Sequence, residues 1–319
     1  MSTDRGGGAA LRWRVALVGY GEVGRIFAED LRGRGVVVAT WDTKLTDAAE
    51  AGVLRDHALQ HGVRLAASAA DAVADADLVV SAVTASQAVA VAAACAPALR
   101  AQGWFVDLNS ASPGAKQQAA AVVEAGGARY VEAAVMTSVP PHRSAVPMLL
   151  GGAHARTLEP LLAQLGWRAR LHAERIGVAS ATKMCRSVMI KGLEAMVIES
   201  FSAARAYGVE DAVLASLAET FPGIDWERQG AYFFQRVIEH GRRRSEEMRE
   251  VARTVEEVGL RPWSAAGTAE RQAWVADLAD QGVFGRRGEQ GFARSADWRT
   301  EADRLLGAAG AAPRTADKD

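Results

Sequence analysis

The sequence predicts an α/β amino-terminal domain followed by an all-α carboxy-terminal domain, and three observations carry that reading. From Val15 to about His172, short β-rich runs alternate with Ala-rich stretches of helical length, the rhythm of βα units around a mostly parallel sheet. After Ile176 the strand signal ends and the remaining pattern is helical. At 319 residues, with 49% hydrophobic and 24% charged residues, there is chain enough for two domains of ordinary globular composition. The expected boundaries are 11–175 for the first and 176–307 for the second, joined by a long interdomain helix.

The strand candidates are "VALVG", "VVVATWD", "VRLAA", "DLVVSAV", "WFVDLN", "RYVEAAV" and "VPMLLGG". The near-continuous apolar character of the first and fourth fits strands covered on both faces. In the second domain Met248, Val251, Val255 and Val258 recur at helical spacing before Gly259 and Pro262 stop the helix. Trp226, Trp263, Trp274 and Trp298 read as helix-packing residues, and the tail "GAAGAAPRTADKD" as frayed.

Partners are bounded by charge. A formal net charge of -1 without long one-sign blocks argues against nucleic acid and against a polybasic membrane contact, and favours a small molecule. Cys95 and Cys185 each lie in an apolar helical pattern and read as core thiols. They supply neither a disulfide framework nor a metal-ligand set, and no metal is expected. The leader "MSTDRGGGAA" has no apolar run of signal-peptide length and no segment is long and apolar enough to span a membrane, so a cytoplasmic location is expected.

The first strand runs into "GYGEVG", with Gly19, Gly21 and Gly24 at G-x-G-x-x-G spacing ahead of the helical run "RIFAEDLRGRG". The first glycine permits a tight turn, the second lets a pyrophosphate approach the backbone at a helix N-terminus, and the third allows close helix packing. This is a Rossmann dinucleotide site, formed by Gly19, Tyr20, Gly21, Glu22, Val23 and Gly24. Asp42, in "TWDTK" at the end of the second strand, stands about 20 residues further on, where a carboxylate accepts hydrogen bonds from ribose hydroxyls. It favours NAD; NADP is the alternative, because Lys44 can partly compensate a 2′-phosphate. Val83 and Thr84, past the strand "DLVVSAV", with Asn109 and Ser110 of "DLNS", complete the expected cofactor-binding set.

Together, "GYGEVG", "DLNSASPG" and "GVASATK" resemble the superfamily of 3-hydroxyisobutyrate and related β-hydroxyacid dehydrogenases, with 6-phosphogluconate dehydrogenase as a larger relative. The carboxy-terminal half, with "CRSVMIKGLEA" and "RRRSEEMREV", is most similar to a less characterised, phosphogluconate-dehydrogenase-like branch. In that superfamily a G-x-G-x-x-x-K-x-x-x-N motif opens the interdomain helix, and its lysine acts on the substrate hydroxyl. Gly177 matches the first glycine, Ala179 the second and Lys183 the lysine, while Ser187 occupies the asparagine position. The resemblance therefore implies Lys183, Ser187 and Asn109 as catalytic residues, with Asn109 and Ser110 beside nicotinamide and substrate. Where hydroxyisobutyrate-type enzymes carry Ser-Gly-Gly to hold the substrate carboxylate, this chain has "VMTSVPPHRS". Thr137, Ser138 and His142 or Arg143 would have to replace those contacts. The later Lys-Asp-Leu motif is replaced by Glu246 to Met248. A different acid is implied, and so is a homodimer formed through the helical domains.

Lys183, Ser187, Lys191 and Glu194 recur at steps of three and four and so form one polar stripe on a helix that is otherwise core-like. A buried charge needs a cleft or a partner. A lysine in a cleft beside an apolar wall and another cation has its ammonium form disfavoured, so that it can accept the alcohol proton as hydride leaves. Arg186 and Lys191 read two ways, as contacts to a small anionic substrate or as ion-pair partners of Glu194 or Glu199. His240 with Arg242 to Arg244 is a second basic cluster, balanced by Glu246, Glu247 and Glu250. The expected activity is an NAD(P)-dependent dehydrogenase of a small hydroxy acid or sugar acid, with decarboxylation open as a following step. The alternatives are an imine reductase, whose relatives generally lack the lysine, and a non-catalytic dinucleotide-binding sensor.

Overall fold

In the computed structural model, which describes residues 13–289, 291–293, 295 and 297–310, the chain divides into two units, Met1–Lys183 and Met184–Asp319. The leader and the tail from residue 311 onward, whose fraying the sequence suggests, lie outside the described residues.

The first unit is built on an eight-stranded sheet of order β3-β2-β1-β4-β5-β6-β7-β8. In chain order its elements are β1 (Arg14–Val18), α1 (Glu22–Gly33), β2 (Val37–Trp41), α2 (Ala48–His61), β3 (Arg64–Leu65), α3 (Ala69–Val73), β4 (Leu78–Ser81), α4 (Ala88–Cys95), β5 (Trp104–Asp107), α5 (Pro113–Ala125), β6 (Arg129–Val135), β7 (Met148–Gly151), α6 (Ala155–Gln164) and β8 (Ala169–Ala173). Every neighbouring pair is parallel except β6 with β7. The alternation of strand side chains separates two cores. Val15 and Leu17 face one that includes Phe27, Leu31 and Leu158; Ala16 and Val18 face another with Val79, Phe105, Ala92 and Val123. Helices thus cover both faces, which is why β4 is buried at all four positions and reads as unbroken apolar sequence.

Strand β8 is not among the strands that the sequence predicts. Its five residues, ARLHA, alternate between exposed and half-buried, as an edge strand does, and Arg170 and His172 on its open face hide the signal.

Helix α7 (Val178–Tyr207) crosses the division between the units, and α8 (Glu210–Thr220), α9 (Trp226–Glu256), α10 (Trp263–Asp280) and α11 (Trp298–Ala308) follow. The second unit is helical, as expected, around Phe201, Trp226, Phe234, Val237 and Trp298. Trp274 packs at the edge of that cluster, but Trp263 is 78% exposed at the start of α10 and is not a packing residue. Cys95 is buried, which pushes its thiol up to about 12, whereas Cys185 is exposed and no core thiol. Among the described residues no helix is long and apolar enough to cross a membrane.

Candidate active site

The strand order reverses between β1 and β4, and in open α/β sheets the crevice beyond the carboxyl ends of strands at such a point is where ligands bind. Gly19 follows β1 there with φ +98, and its N–H donates to the Trp41 carbonyl at 2.9 Å. A side chain at Gly19 would collide with the Ala82 carbonyl just past β4, and one at Gly24 with the Gly19 carbonyl. A Cβ at Gly21 would meet nothing within 4 Å. Gly21 is also the N-cap of α1 and offers no side-chain acceptor to the first turn, so the loop presents backbone N–H groups at an open, positively polarised helix end. A pyrophosphate fits this arrangement. Tyr20 contributes only its backbone, since its side chain is buried; Glu22 is exposed and Val23 packs on the core.

Asp42 caps the turn after β2 and ties it to this loop. Its Oδ2 accepts the Tyr20 N–H at 2.6 Å and its Oδ1 the Lys44 N–H at 2.9 Å. The Lys44 ammonium, which the sequence offers as compensation for a 2′-phosphate, instead donates to Glu50 at 3.0 Å.

The start of α7 is fixed by a buried carboxylate. Glu132 on β6 is fully buried. Its Oε1 accepts the N–H groups of Gly177 and Ala179 at 2.8 and 3.1 Å, and its Oε2 that of Ser180 at 3.2 Å. A carboxylate satisfies the orphan donors of a helix start and complements its dipole, so β6 fixes the first turn of α7. Gly177 has φ +97, a conformation suited to glycine. Ala179 is buried against Ala134 and Leu149, where close helix packing favours a small residue. Lys183 follows one turn later, half-buried, and its Nζ donates to Ser110 Oγ at 2.6 Å.

Ser110 stands just beyond β5, in a loop held from beneath. The Asn109 Oδ1 accepts the Val83 N–H at 2.7 Å and its Nδ2 donates to Ser81 Oγ at 2.9 Å. Asn109 is therefore a clamp between the ends of β4 and β5. Below it, buried Asp107 pairs with Lys116 at 2.8 Å and accepts from the Tyr130 hydroxyl at 2.7 Å. Burial first, and then the charge of Asp107, raises the Tyr130 phenol well above its ordinary range. Lys183 thus bonds to Ser110, and the neighbouring Asn109 bonds to Val83, next to the Ala82 carbonyl that leaves no room for a side chain at Gly19.

Thr84 is exposed at the start of a short 3-10 turn, and Thr137 and Ser138 are exposed in the loop after β6. Arg143, further along that loop, is held by carboxylates of α1. Its Nε donates to Asp30 at 2.7 Å and its Nη2 to Glu29 at 2.6 Å, which ties the loop to α1; His142 is exposed.

In the second unit the charged stripe of α7 closes on itself. Lys191 is buried and pairs with Glu247, and buried Glu194 pairs with Arg244, both on α9. Burial pushes the Lys191 ammonium down from its ordinary value, against the pull of Glu247. Lys191 is therefore an ion-pair residue, with Glu247 in place of the expected Glu194 or Glu199, and is not available as a substrate contact. Glu199 pairs with Arg271 at 2.7 Å. Ser187 is buried and Arg186 exposed.

His240 in α9 has a consequence for stability. Burial, then the positive charge of Arg236, hold its imidazolium down to about 4, with Glu239 opposing. An unfolded histidine protonates near about pH 6.5, so between these values the unfolded chain binds a proton that the folded chain does not. Stability is complete above that window and falls as pH drops through it. His240→Gln is expected to flatten the loss of melting temperature between about pH 7 and pH 5; an unchanged slope in thermal melts would assign the loss to other groups.

Comparison with known proteins joins these two ends. Residues 14–173 match the family described as the NAD binding domain of 6-phosphogluconate dehydrogenase, and residues 204–275 a domain of unknown function, DUF1932. A conserved hypothetical protein from Sinorhizobium meliloti 1021 is 37% identical, with 92% of this chain and 97% of that one covered, at a TM-score of 0.72. A conserved protein of unknown function, whose structure is described as similar to 3-hydroxyacid dehydrogenases, is 28% identical over 83% of this chain and 99% of its own, at a TM-score of 0.64. The chain belongs to the 3-hydroxyacid dehydrogenase superfamily.

A probable 3-hydroxyisobutyrate dehydrogenase of Mycobacterium bovis is 26% identical over 66% of this chain and 71% of its own. Within this superfamily of NAD(P)-dependent oxidoreductases, the first unit is the cofactor domain and the second carries the DUF1932 region. Glu132 and Lys116 are the residues that sequence reasoning missed. Each is a charge inside an apolar run, "YVEAAV" and "GAKQQAAAVV", and the rule that directed attention to Lys183 applies equally to them.

Proposed function

We propose that the protein oxidises the hydroxyl carbon of a small anionic hydroxy acid or sugar acid with NAD, using Lys183 as general acid and base. The observation that carries this reading is the Lys183 amine on Ser110 Oγ, in the loop that Asn109 ties to Val83 beside the glycine turn. The N-terminus of α1 would hold the pyrophosphate and Asp42 the ribose. The nicotinamide supplies hydride chemistry when bound. Lys183 takes the hydroxyl proton in one direction and returns it in the other. Ser110 holds the amine and can share the substrate hydroxyl. Thr137 and Ser138 supply polar contacts to the acid. Asn109 acts by positioning Ser110 and Val83.

A screen of hydroxy acids and sugar acids with NAD and NADP, read by absorbance of the reduced nicotinamide, tests this reading. One acid class is expected to be oxidised, with NAD preferred. Activity confined to NADPH-dependent reduction of imines would replace it with the imine reductase reading, and cofactor binding without turnover on any substrate with the sensor reading. Release of carbon dioxide in the same assay marks a β-keto acid product that decarboxylates.

Asp42→Asn tests the cofactor preference, because asparagine keeps an acceptor for the Tyr20 N–H while removing the charge. The ratio of Kd for NADP to Kd for NAD is expected to fall on the order of tenfold, the effect of about 1.4 kcal/mol of repulsion. An unchanged ratio in fluorescence titrations would remove Asp42 from cofactor selection.

A further inference from the structure

The first unit holds a set of metal-ligating side chains that the dehydrogenase reading does not use. Glu29 lies on α1, and His57 and His61 lie one turn apart at the end of α2, which packs beside α1. Residues four apart project from one helix face, and here His57 meets the carboxylate with His61 beside it. One donor atom from each of the three lies within 4.8 Å of the others. His57 Nε2 is 3.0 Å from Glu29 Oε1, and the two imidazole centroids are 4.5 Å apart. All three residues are half-buried.

We propose that Glu29, His57 and His61 form a site for one divalent transition-metal ion of the Zn2+ type. Two imidazole nitrogens and one carboxylate oxygen are a zinc donor set with a fourth position for water, whereas Mg2+ and Ca2+ select all-oxygen sets. Metal–ligand lengths of about 2.0–2.1 Å place tetrahedral donors roughly 3.4 Å apart, so the donors would draw together on binding.

The surroundings are arranged as the outer partners of such a site. The Tyr20 hydroxyl lies 2.8 Å from His57 Nδ1. With His57 Nδ1–H donating to that hydroxyl, the Nε2 lone pair is directed at the ion. Arg143 Nη2 occupies Glu29 Oε2 at 2.6 Å, and Oε1, which His57 Nε2 meets at 3.0 Å, is the oxygen that would coordinate. Outer hydrogen bonds of this kind fix ligand orientation. The ion would join α1 to α2 beneath Tyr20, whose N–H holds Asp42, and so brace the loop at the cofactor end without taking part in hydride transfer.

The test uses the full chain, stripped with a chelator and dialysed against ZnCl2, with bound metal measured per chain. One Zn2+ per chain is expected, together with a raised melting temperature and, for Co2+ in its place, the intense visible bands of a four-coordinate ion. His61→Ala, at the surface end of α2, is expected to weaken Zn2+ binding at least tenfold while keeping the wild-type circular dichroism, and Glu29→Gln to do the same. His172→Ala is the control that keeps the metal. A folded wild-type chain that retains no Zn2+ after dialysis, or a folded His61→Ala that binds as well as wild type, overturns the proposal. Neither result bears on Lys183, so the two readings fail separately.

Discussion

Lys183→Ala is expected to bind NAD as tightly as the wild-type chain and to turn over about 10²- to 10⁴-fold more slowly, the usual worth of a positioned acid or base. Lys183 donates to Ser110 Oγ, and the open helix end at Gly21 and the Asp42–Tyr20 contact are formed by other residues, so both should survive its removal. Lys183→Arg keeps a cation but replaces the amine with a guanidinium that does not give up its proton, and it should remain slow. Binding is read by titration against reduced-nicotinamide fluorescence, and chemistry by single-turnover kinetics. Unchanged turnover in the alanine variant would eliminate the lysine mechanism. Loss of cofactor binding would place the lysine on the nucleotide instead.

The second large effect lies at Glu132. Its carboxylate is the shared acceptor of three backbone N–H groups at the start of α7, in a place without solvent access. Glu132→Ala strands those donors, and at about 1–3 kcal/mol for each buried unsatisfied group the loss reaches several kcal/mol, a large share of the stability of an ordinary domain. Glu132→Gln is milder, because the amide oxygen still accepts from Gly177 and Ala179 while its NH2 faces the Ser180 N–H. Urea midpoints measure the order wild type, glutamine, alanine. The glutamine variant carries the functional part of the test. Lys183 rides on the turn that Glu132 fixes, so kcat should fall further than NAD affinity. Equal losses in both would make Glu132 a matter of stability alone.

Much of the first unit was legible because its signals are local. The apolar runs of β1 and β4, the glycine spacing and the position of Asp42 each follow from a few adjacent residues. Lys183 was legible for a different reason, as a charge in a helix that otherwise reads as core. Strand β8 was not, since an edge strand carrying Arg170 and His172 lacks apolar contrast. The partners of buried charges were illegible on principle. Glu132 lies 45 to 48 residues before the N–H groups it holds, and Lys191 finds Glu247 across 56, whereas spacing along one helix reveals only neighbours three or four apart. For the same reason Asn109 read as a ligand contact. Nothing local shows that its amide is committed to Ser81 and Val83. The apolar wrapping expected around α7 is also uneven, with Met184, Val197 and Phe201 buried and Met189 and Met196 exposed.

The most direct measurement is a crystal structure of the wild-type chain with NAD and the hydroxy acid selected by the substrate screen. Lys183 Nζ is expected within about 2.6–3.2 Å of the substrate hydroxyl, with Ser110 retained as its neighbour. A bound acid whose hydroxyl lies beyond reach of that nitrogen, with another side chain on the proton, would contradict the assignment.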